Sequence, residues 1–234
     1  MPGDPTAPTW PLFGITISVG EVSLRPVREA DLETLVSLLP DDVEHDPSST
    51  MLEGLDLGEN RRRLLMQSYW RSWGSWSVDD WYLQFAVAHL GRLVGVQTLE
   101  AVHFPALRVV DSSSWLEPGS RGRGVGRAMR TGVLALAFDH LGATAAVSSA
   151  REENAPSLGV SHALGYEDNG VERSLSPSGP CTLRRMLLTR ETWRSSGLGA
   201  AATVTGLDAC APWFGVEPER WPAAQYGAAG DRDE

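Results

Sequence analysis

The chain of 234 residues contains no lysine, and its 20 basic residues are all arginines, set against 30 acidic ones. The resulting net charge of −10 disfavours a nucleic-acid partner, because contact with phosphate backbones draws on a basic face. An acidic surface would suit a cationic amine, which it attracts over a distance, although acidity also serves solubility.

Cysteine and long apolar runs are scarce as well. Only Cys181 and Cys210 occur, without a C-x-x-C pair, so we expect two buried reduced thiols, with a disulfide between them as the alternative. No apolar run is long enough to span a membrane and no secretory core opens the chain, so we expect a cytoplasmic protein with no membrane partner. No spacing of His, Cys, Asp and Glu indicates a metal site.

Hydrophobic residues make up 42% of the chain, which is enough to form one core. We predict a flexible N-terminal segment over residues 1–12, one catalytic domain over 13–190, an extension over 191–222 that packs on it, and a disordered tail over 223–234. In the extension, 202–207 could add a strand, and the apolar residues 212–215 could form a plug.

The periodicity of apolar residues predicts alternating strands and helices. Residues 15–27 indicate strands or a hairpin, and 82–89 with 93–101 indicate a central hairpin. Further strands are predicted at 107–116, 144–150, 166–171 and 181–189, and helices at 29–39, 59–73, 125–141 and 155–164. Antiparallel hairpins combined with one β-α-β unit indicate a mixed α/β fold.

A glycine-rich turn, Arg121-Gly-Arg-Gly-Val-Gly-Arg127, stands between a predicted strand and the helix at 125–141. Glycines there let successive backbone N–H groups converge on an anion at a helix N-terminus. A Walker A loop is excluded, because no Lys-Ser/Thr follows Gly126, and the glycine spacing fits a dinucleotide fingerprint poorly. The remaining alternative is a tight turn without a ligand, which would not explain arginines at 121, 123, 127 and 130.

The pattern Arg121-x-x-Gly124-x-Gly126 resembles the R/Q-x-x-G-x-G/A pyrophosphate motif of the GNAT acyltransferase superfamily. Upstream Trp115-Leu-Glu-Pro118 and downstream Asn154-Ala-Pro-Ser157 followed by Leu164-Gly-Tyr166 also resemble the family. The pattern is closest to the RimJ/RimL-like branch, which acetylates ribosomal protein N-termini. The segments 10–13, 104–116 and 165–170 further resemble a mycobacterial GNAT associated with succinyl-CoA.

This resemblance implies a GNAT fold: a central mixed seven-stranded sheet with splayed strands four and five, flanked by helices, plus the C-terminal extension. It also implies acetyl-CoA or succinyl-CoA as co-substrate. The residues that would bind the cofactor are Trp115, Leu116, Glu117, Arg121, Gly122, Arg123, Gly124, Val125, Gly126, Arg127, Asn154 and Ser157.

The implied activity is direct transfer of an acetyl or succinyl group to a primary amine: a protein N-terminus, a lysine or a small-molecule amine. For the general base we expect Asp111 or Glu117, and Asp111 is the odder residue because it interrupts an apolar strand. Ser161, seven residues after Asn154, stands where the family places its acid, usually a Tyr; it could also be an ordinary helix-surface serine.

Several residues carry weaker expectations. His103 and His162 are candidates for proton transfer that more simply lie on the surface, and His45 could bind the acceptor or make a turn. Tryptophans 70, 73, 76 and 81 indicate packing rather than an aromatic wall for a cation. A succinyl group would need an arginine such as Arg71 or Arg108. A homodimer is possible, and the alternative function is a non-catalytic acyl-CoA-binding sensor or interaction module.

Overall fold

The structure, a computed structural model, describes residues 9–43, 46 and 48–216. The elements within those ranges are the strands β1 (Thr16–Val19), β2 (Val22–Pro26), β3 (Trp81–His89), β4 (Arg92–Ala101), β5 (Val109–Val110), β6 (Ser114–Leu116), β7 (Ala145–Arg151), β8 (Glu167–Ser176), β9 (Gly179–Thr189) and β10 (Ala202–Thr205), and the helices α1 (Leu32–Leu38), α2 (Leu57–Gly74), α3 (Phe104–Leu107), α4 (Val125–Ala135), α5 (Ala155–Ala163) and α6 (Arg190–Ser196).

The strands form two sheets. Six strands lie in the order β10-β1-β2-β3-β4-β6, and four in the order β5-β7-β9-β8. The pairing is antiparallel except between β5 and β7, which are parallel. The mixed α/β fold with flanking helices is therefore confirmed.

The seven strands predicted for one sheet become ten described strands in two sheets, and the predicted strand over 107–116 explains part of the difference. Its first half, β5, pairs with β7, and its second half, β6, pairs with β4. Asp111 lies at the crossing and bridges to Glu100 on β4. The two sheets diverge after this point, so the predicted splay of strands four and five arises from one segment that changes sheets.

The helix α4 packs on the larger sheet and fixes the position of the glycine turn. Its residues Val125, Met129 and Val133 are buried. Gly132 allows the close approach, because a Cβ there would meet Ile17 of β1 at 2.8 Å. After α4 the chain widens into a π-helical turn, Leu136–His140, which ends the predicted helix near its expected limit.

The C-terminal extension is integrated into the fold as far as it is described. The strand β10 pairs with β1, and α6, which was not predicted, buries Trp193 against Phe138. The 3₁₀ turn Ala211–Phe214 buries Phe214 fully, as an apolar plug would. Residues 217–222 and the predicted tail 223–234 lie outside the described residues.

At the N-terminus the packed body begins earlier than residue 13. Leu12 is fully buried in the 3₁₀ turn Pro11–Gly14, and Trp10 packs on Trp73 and Trp213. Because of these contacts, residues 10–12 pack on the body of the protein, although the sequence predicted a flexible segment there. Residues 1–8 lie outside the described ranges.

The tryptophans of the segment before β3 divide between core and surface. Trp73 stacks on Trp76, and Trp76 stacks on Trp81, while Trp70 is half exposed. Trp76 and Trp81 also contact Phe214 edge-on, so the cluster joins α2 to the C-terminal extension. Packing therefore accounts for Trp73, Trp76 and Trp81, but not for Trp70.

Two further expectations concern thiols and membranes. Both cysteines are free; Cys210 is buried, which raises the pKa of its thiol to about 11, whereas Cys181 is only half-buried. Within the described ranges, no helix has the length and apolar character needed to cross a membrane.

Candidate functional site

The glycine turn leads directly into α4 and leaves the N-terminus of this helix open. Gly122 and Gly124 adopt left-handed φ angles of +71° and +81°, a conformation that favours glycine, and a Cβ at either would meet nothing within 4 Å. No side chain caps the helix at Gly124. The first amides of a helix have no intrahelical acceptor, so the N–H groups of 124–127 face outward without a partner in the helix.

The arginines around this turn differ in their contacts. Arg123 and Arg127 are exposed, and no ion-pair partner for either occurs among the described residues. The Arg121 guanidinium instead donates to both carboxylate oxygens of Asp42, at 2.6 and 2.8 Å, and its Nε donates to the Leu116 carbonyl at 3.0 Å. The hydrogen bond with Arg121 lowers the pKa of Asp42. Arg130, expected beside the turn, is buried beneath it with 4% of its surface exposed.

The strand β6 forms one wall of the gap between the sheets. Its approach to β4 requires Gly95, where a Cβ would meet the Trp115 carbonyl oxygen at 2.2 Å. Backbone groups alternate in direction along a strand, and Ser113 and Glu117 bond to β4 through their backbone. Those of Ser114 and Leu116 consequently point away from β4, toward the gap.

A cavity of about 660 Å³ opens on the other face of the sheet, between α1, α2 and the strands β3, β4 and β6. The charged side chains that line it are Arg61, Arg71 and Asp46. Arg61 is held by Asp41 at 2.9 Å, whereas no acidic partner of Arg71 occurs in the part of the chain that the structure describes. Arg108 lies elsewhere and donates to the carbonyls of Leu141 and Gly215. The rest of the lining includes Leu32, Leu35, Leu65, Ser68, Ser72, Tyr82, Gln84, Val96, Thr98, Ser113, Ser114 and Trp115.

Two carboxylates lie together next to the strand residues that line this cavity. Tyr82 of β3 pairs with Glu100 of β4, and Glu100 in turn bridges to Asp111. Side chains two residues apart on a strand share a face, so Glu100 lies on the same face as Thr98, which lines the cavity. Burial, with a smaller effect from the Asp111 charge, raises the pKa of Glu100 to about 7. Burial also raises the pKa of Asp111. A carboxylate that titrates near neutrality can accept a proton from an amine.

Glu117, the other predicted base, has a different environment. Its carboxylate pairs with Arg92 and accepts a hydrogen bond from Ser120 at 2.7 Å. The contact with Arg92, followed by that with Ser120, lowers its pKa. An ionised carboxylate held by an arginine is a weak base, so the geometry favours Glu100 and Asp111 over Glu117.

The histidines are not gathered at this site. His103 is exposed next to Asp80, and His162 is exposed next to Asp168. Neither lines the cavity. His45 lies outside the described residues. Within the described ranges, no group of three or more His, Cys, Asp or Glu side chains is placed to hold a metal ion.

The helix α5 presents three of the predicted residues along one side. The Asn154 side chain caps the helix by accepting from the Ser157 amide at 3.2 Å. Ser161 lies one turn beyond Ser157 and is almost fully buried. Its Oγ accepts a hydrogen bond from the Arg130 guanidinium at 2.8 Å and donates to the Ser157 carbonyl at 3.2 Å. The alternative of a helix-surface serine is therefore wrong.

Sequence reasoning missed Glu100, Gly95 and the role of Arg130 in the interior. Glu100 carries the same signal that singled out Asp111, a carboxylate within an apolar strand, and it could have been found. The need for Gly95 and the burial of Arg130 depend on contacts between distant segments, which no local pattern encodes.

Comparisons with known proteins agree with this geometry. The family model for the acetyltransferase (GNAT) domain matches residues 21–167. Among solved structures, the chain is similar to Mycobacterium smegmatis RimJ in complex with CoA-disulfide, at 20% identity and a TM-score of 0.60, covering 80% of this chain and 96% of that one. It is also similar to the ribosomal-protein-S5-alanine acetyltransferase from Vibrio fischeri, at 12% identity and a TM-score of 0.60, covering 76% and 98%.

A third similar structure is a spermidine N-acetyltransferase chimera from Vibrio cholerae and a second enzyme, at 14% identity and a TM-score of 0.54, covering 75% of this chain and 99% of that one. At these identities the structural matches bear on the fold. The acceptors in their names, a ribosomal protein and a polyamine, differ from one another.

Proposed function

Because this chain belongs to the GNAT acetyltransferase family, we propose that it transfers an acyl group from acyl-CoA to a primary amine in a single step. The observation that carries the proposal is the position of the Glu100–Asp111 pair. It lies where β5 leaves β7, on the segment whose next residues, 113–115, line the cavity and which then leads to the open turn at α4. One end of this arrangement suits an anionic cofactor, and the other can accept a proton.

The cofactor would bind along the gap between the sheets. Backbone amides from Gly122 to Arg127 would hold the pyrophosphate, with Arg123 and Arg127 supplying positive charge that opposes the helix dipole until an anion arrives. The outward backbone groups of Ser114 and Leu116 would pair with the amides of the pantetheine arm. Asn154 and Ser157 would flank its other side.

The chemistry requires a deprotonated amine and a stabilised leaving group. Glu100, supported by Asp111, takes a proton from the amine as its nitrogen forms a bond to the acyl carbon. The carbon–sulfur bond then breaks, and its electron pair stays on the sulfur as a thiolate. Ser161 donates a hydrogen bond to this thiolate, and no covalent enzyme intermediate is needed.

The donor is proposed to be acetyl-CoA or succinyl-CoA. Arg71 lines the cavity without a described acidic partner, so its guanidinium could pair with the carboxylate of a succinyl group. Arg108 does not share this position, because its guanidinium donates to two carbonyls behind α4.

The acceptor is proposed to be a protein N-terminus, a lysine or a small amine. The cavity wall carries two arginines and one aspartate, which disfavours a polycation such as a polyamine. Similarity to the ribosomal-protein-S5-alanine acetyltransferase supports a protein acceptor, whose amine would enter between α1 and α2. We place the enzyme in the cytoplasm, as a monomer or homodimer.

Calorimetric titration of the purified protein with acetyl-CoA, succinyl-CoA and CoA, with NADH as control, tests the cofactor. Binding of the CoA species alone is expected, and a preference between the thioesters identifies the acyl group. Failure of every CoA species to bind would refute the proposal. Binding without acyl transfer to any peptide or small amine would favour the sensor function.

A further inference from the structure

A group of buried polar side chains lies beneath the glycine turn. Arg130 of α4 contacts Ser161 of α5 and has electrostatic interactions with Tyr166 and Asp111. Tyr166 interacts in turn with Ser112, which follows Asp111 where β5 leaves β7. Segments from four parts of the chain thus bring their polar atoms to one place, at the base of the gap between the sheets.

Several of these buried atoms lack ordinary hydrogen-bond partners. The Arg130 Nε has none, and the Ser112 Oγ and the Tyr166 hydroxyl have only each other. Buried polar atoms are usually paired, because an unpaired one costs on the order of 1–3 kcal/mol. A buried guanidinium with an unpaired nitrogen, next to two hydroxyls that have only each other, indicates that the group is arranged for something other than the stability of the fold.

The charge of Arg130 is also incompletely compensated. No carboxylate lies within 4 Å of its guanidinium among the described residues, and burial lowers its pKa. Asp111 is the carboxylate that interacts with it electrostatically, and Asp111 also interacts with Arg185 of β9. A buried cation without a close partner destabilises the fold, and an apolar residue of similar size would relieve the cost.

Among the described residues, the side-chain hydrogen bond that Arg130 makes is with Ser161, the residue proposed to stabilise the leaving thiolate. Its Nη1 donates to the Ser161 Oγ at 2.8 Å. This bond occupies a lone pair of the oxygen, so the hydroxyl hydrogen must point away from Arg130. In this structure the hydroxyl hydrogen is directed to the Ser157 carbonyl, and the distance from Oγ to the carbonyl oxygen is a long 3.2 Å. Rotation about the Cβ–Oγ bond would turn the hydrogen to another acceptor.

We propose that Arg130 is a positioning residue for the leaving group: it orients the Ser161 hydroxyl toward the coenzyme sulfur and stabilises the negative charge that develops there. This inference rests on the proposed acyl transfer. When the carbon–sulfur bond breaks, the electron pair remains on sulfur, Ser161 donates its hydrogen bond to the thiolate, and water later supplies the proton. Arg130 acts through Ser161 and does not touch the substrate.

The first test needs no turnover. CoA and desulfo-CoA, which lacks the thiol, are titrated against wild type and Arg130→Met over a range of pH. A site that stabilises the thiolate lowers the pKa of the bound thiol, so in wild type CoA should gain affinity over desulfo-CoA as pH rises. Each unit of thiol pKa corresponds to about a tenfold gain. Arg130→Met should lose this gain, and Arg130→Lys should keep part of it.

The second test follows the reaction. Arg130→Met and Ser161→Ala should each lower kcat about a hundredfold, as loss of a charge-stabilising donor does, with little change in the KM for acyl-CoA. Because Arg130 acts through Ser161, the double variant should be no slower than either single variant. Additive losses in the double variant would overturn the inference.

Stability separates this role from a structural one. Arg130→Met should unfold at the same temperature as wild type or higher. Arg108→Met is the matched control: it removes two hydrogen bonds to carbonyls, so it should unfold earlier while kcat is retained. Equal thiol pKa values in wild type and Arg130→Met would overturn the inference, whereas failure of both ligands to bind would refute the proposed function itself.

Discussion

A carboxylate within a strand must be protonated or have a partner, and Glu100 and Asp111 meet this constraint together. Their strands are paired through two backbone hydrogen bonds, Glu100 N to Asp111 O at 2.9 Å and Asp111 N to Glu100 O at 2.8 Å. The two acids are therefore fixed side by side, and burial makes it unfavourable for both to ionise.

Replacing Glu100 by Gln should lower kcat by about 10²- to 10⁴-fold, because the amine loses its proton acceptor. In wild type, activity should rise with pH through about 7, where Glu100 becomes ionised. This limb of the pH–rate profile should be absent from the residual activity of the variant. The exposed Glu21, at the β1–β2 turn, supplies the control Glu21→Gln, and a similar loss there would contradict the assignment.

Stability should change with pH through the same residue. The pKa of Glu100 is raised from 4.5 to about 7 on folding, so the folded state holds its proton more tightly than the unfolded state. Wild type should lose stability relative to Glu100→Gln as pH rises across this interval, by up to about 3 kcal/mol. Chemical denaturation at both ends of the interval measures the difference, and a constant difference would contradict the raised pKa.

At the residue scale, the sequence predicted part of the site. Asp111 stood out as a charge in an apolar strand, and Ser161 stood out by its spacing from Asn154. The cross-strand pair of Glu117 with Arg92, 25 residues apart, was hidden, because pairing depends on register that the sequence does not display.

At the scale of elements, the contact between β4 and β6 depends on one residue. Gly95→Ala would place a Cβ 2.2 Å from the Trp115 carbonyl oxygen, which must push β6 away. We expect a loss of about 1–3 kcal/mol in the free energy of unfolding, together with weaker CoA binding. Gly159→Ala in α5 is the control, since its Cβ meets nothing within 4 Å, and it should stabilise the protein.

Substitutions in the turn before α4 should weaken CoA binding and at the same time stabilise the free protein. The double substitution Arg123→Gln and Arg127→Gln should weaken CoA binding at least about tenfold, and the remaining affinity should depend less on salt. The free protein should be slightly stabilised, by a few tenths of a kcal/mol, because cations at a helix N-terminus oppose its dipole. Calorimetry and thermal unfolding measure the two effects.

The exposed Arg62 of α2 supplies the matched control, Arg62→Gln, which should leave CoA affinity unchanged. Unaltered CoA binding by the double variant would show that the turn does not hold the pyrophosphate.

Helices and long strands were predictable from periodicity, and their observed limits lie within a few residues of expectation, except that β8 continues to Ser176, five residues beyond the predicted end. The short elements α3, β5 and β6 were not, because the chain changes sheets between 108 and 114 under the control of tertiary contacts. Arg108 adopts a left-handed φ of 52° at this point. This conformation is uncommon for residues other than glycine, and nothing in the local sequence predicts it.

At the scale of the whole molecule, Phe214 joins the C-terminal extension to the body. It is fully buried against Trp76 and Trp81, with ring centroids at 5.5 and 5.2 Å. Phe214→Ala should therefore lower the free energy of unfolding by about 3–5 kcal/mol. Tryptophan fluorescence during denaturation measures this, and the exposed Leu175→Ala should have almost no effect.

The overall architecture followed from a resemblance carried by a few motifs, and the family match confirms the GNAT assignment. The sequence indicated that 202–207 could add a strand, but it did not indicate that this strand, β10, joins the larger sheet. Its partner β1 lies almost 190 positions earlier in the chain, as the Thr16–Thr205 contact shows.

The ion pair between Arg121 and Asp42 joins the two ends of the site. All three guanidinium nitrogens of Arg121 are engaged, two by Asp42 and one by Leu116. A phosphate that binds both terminal nitrogens of this guanidinium in the same bidentate way would compete with Asp42, which belongs to the segment after α1 at the rim of the cavity. If the coenzyme binds at the turn as proposed, this competition would couple the turn to the rim of the cavity, and thermodynamic reciprocity would require that an acceptor bound at the rim alter the affinity for coenzyme by the same factor.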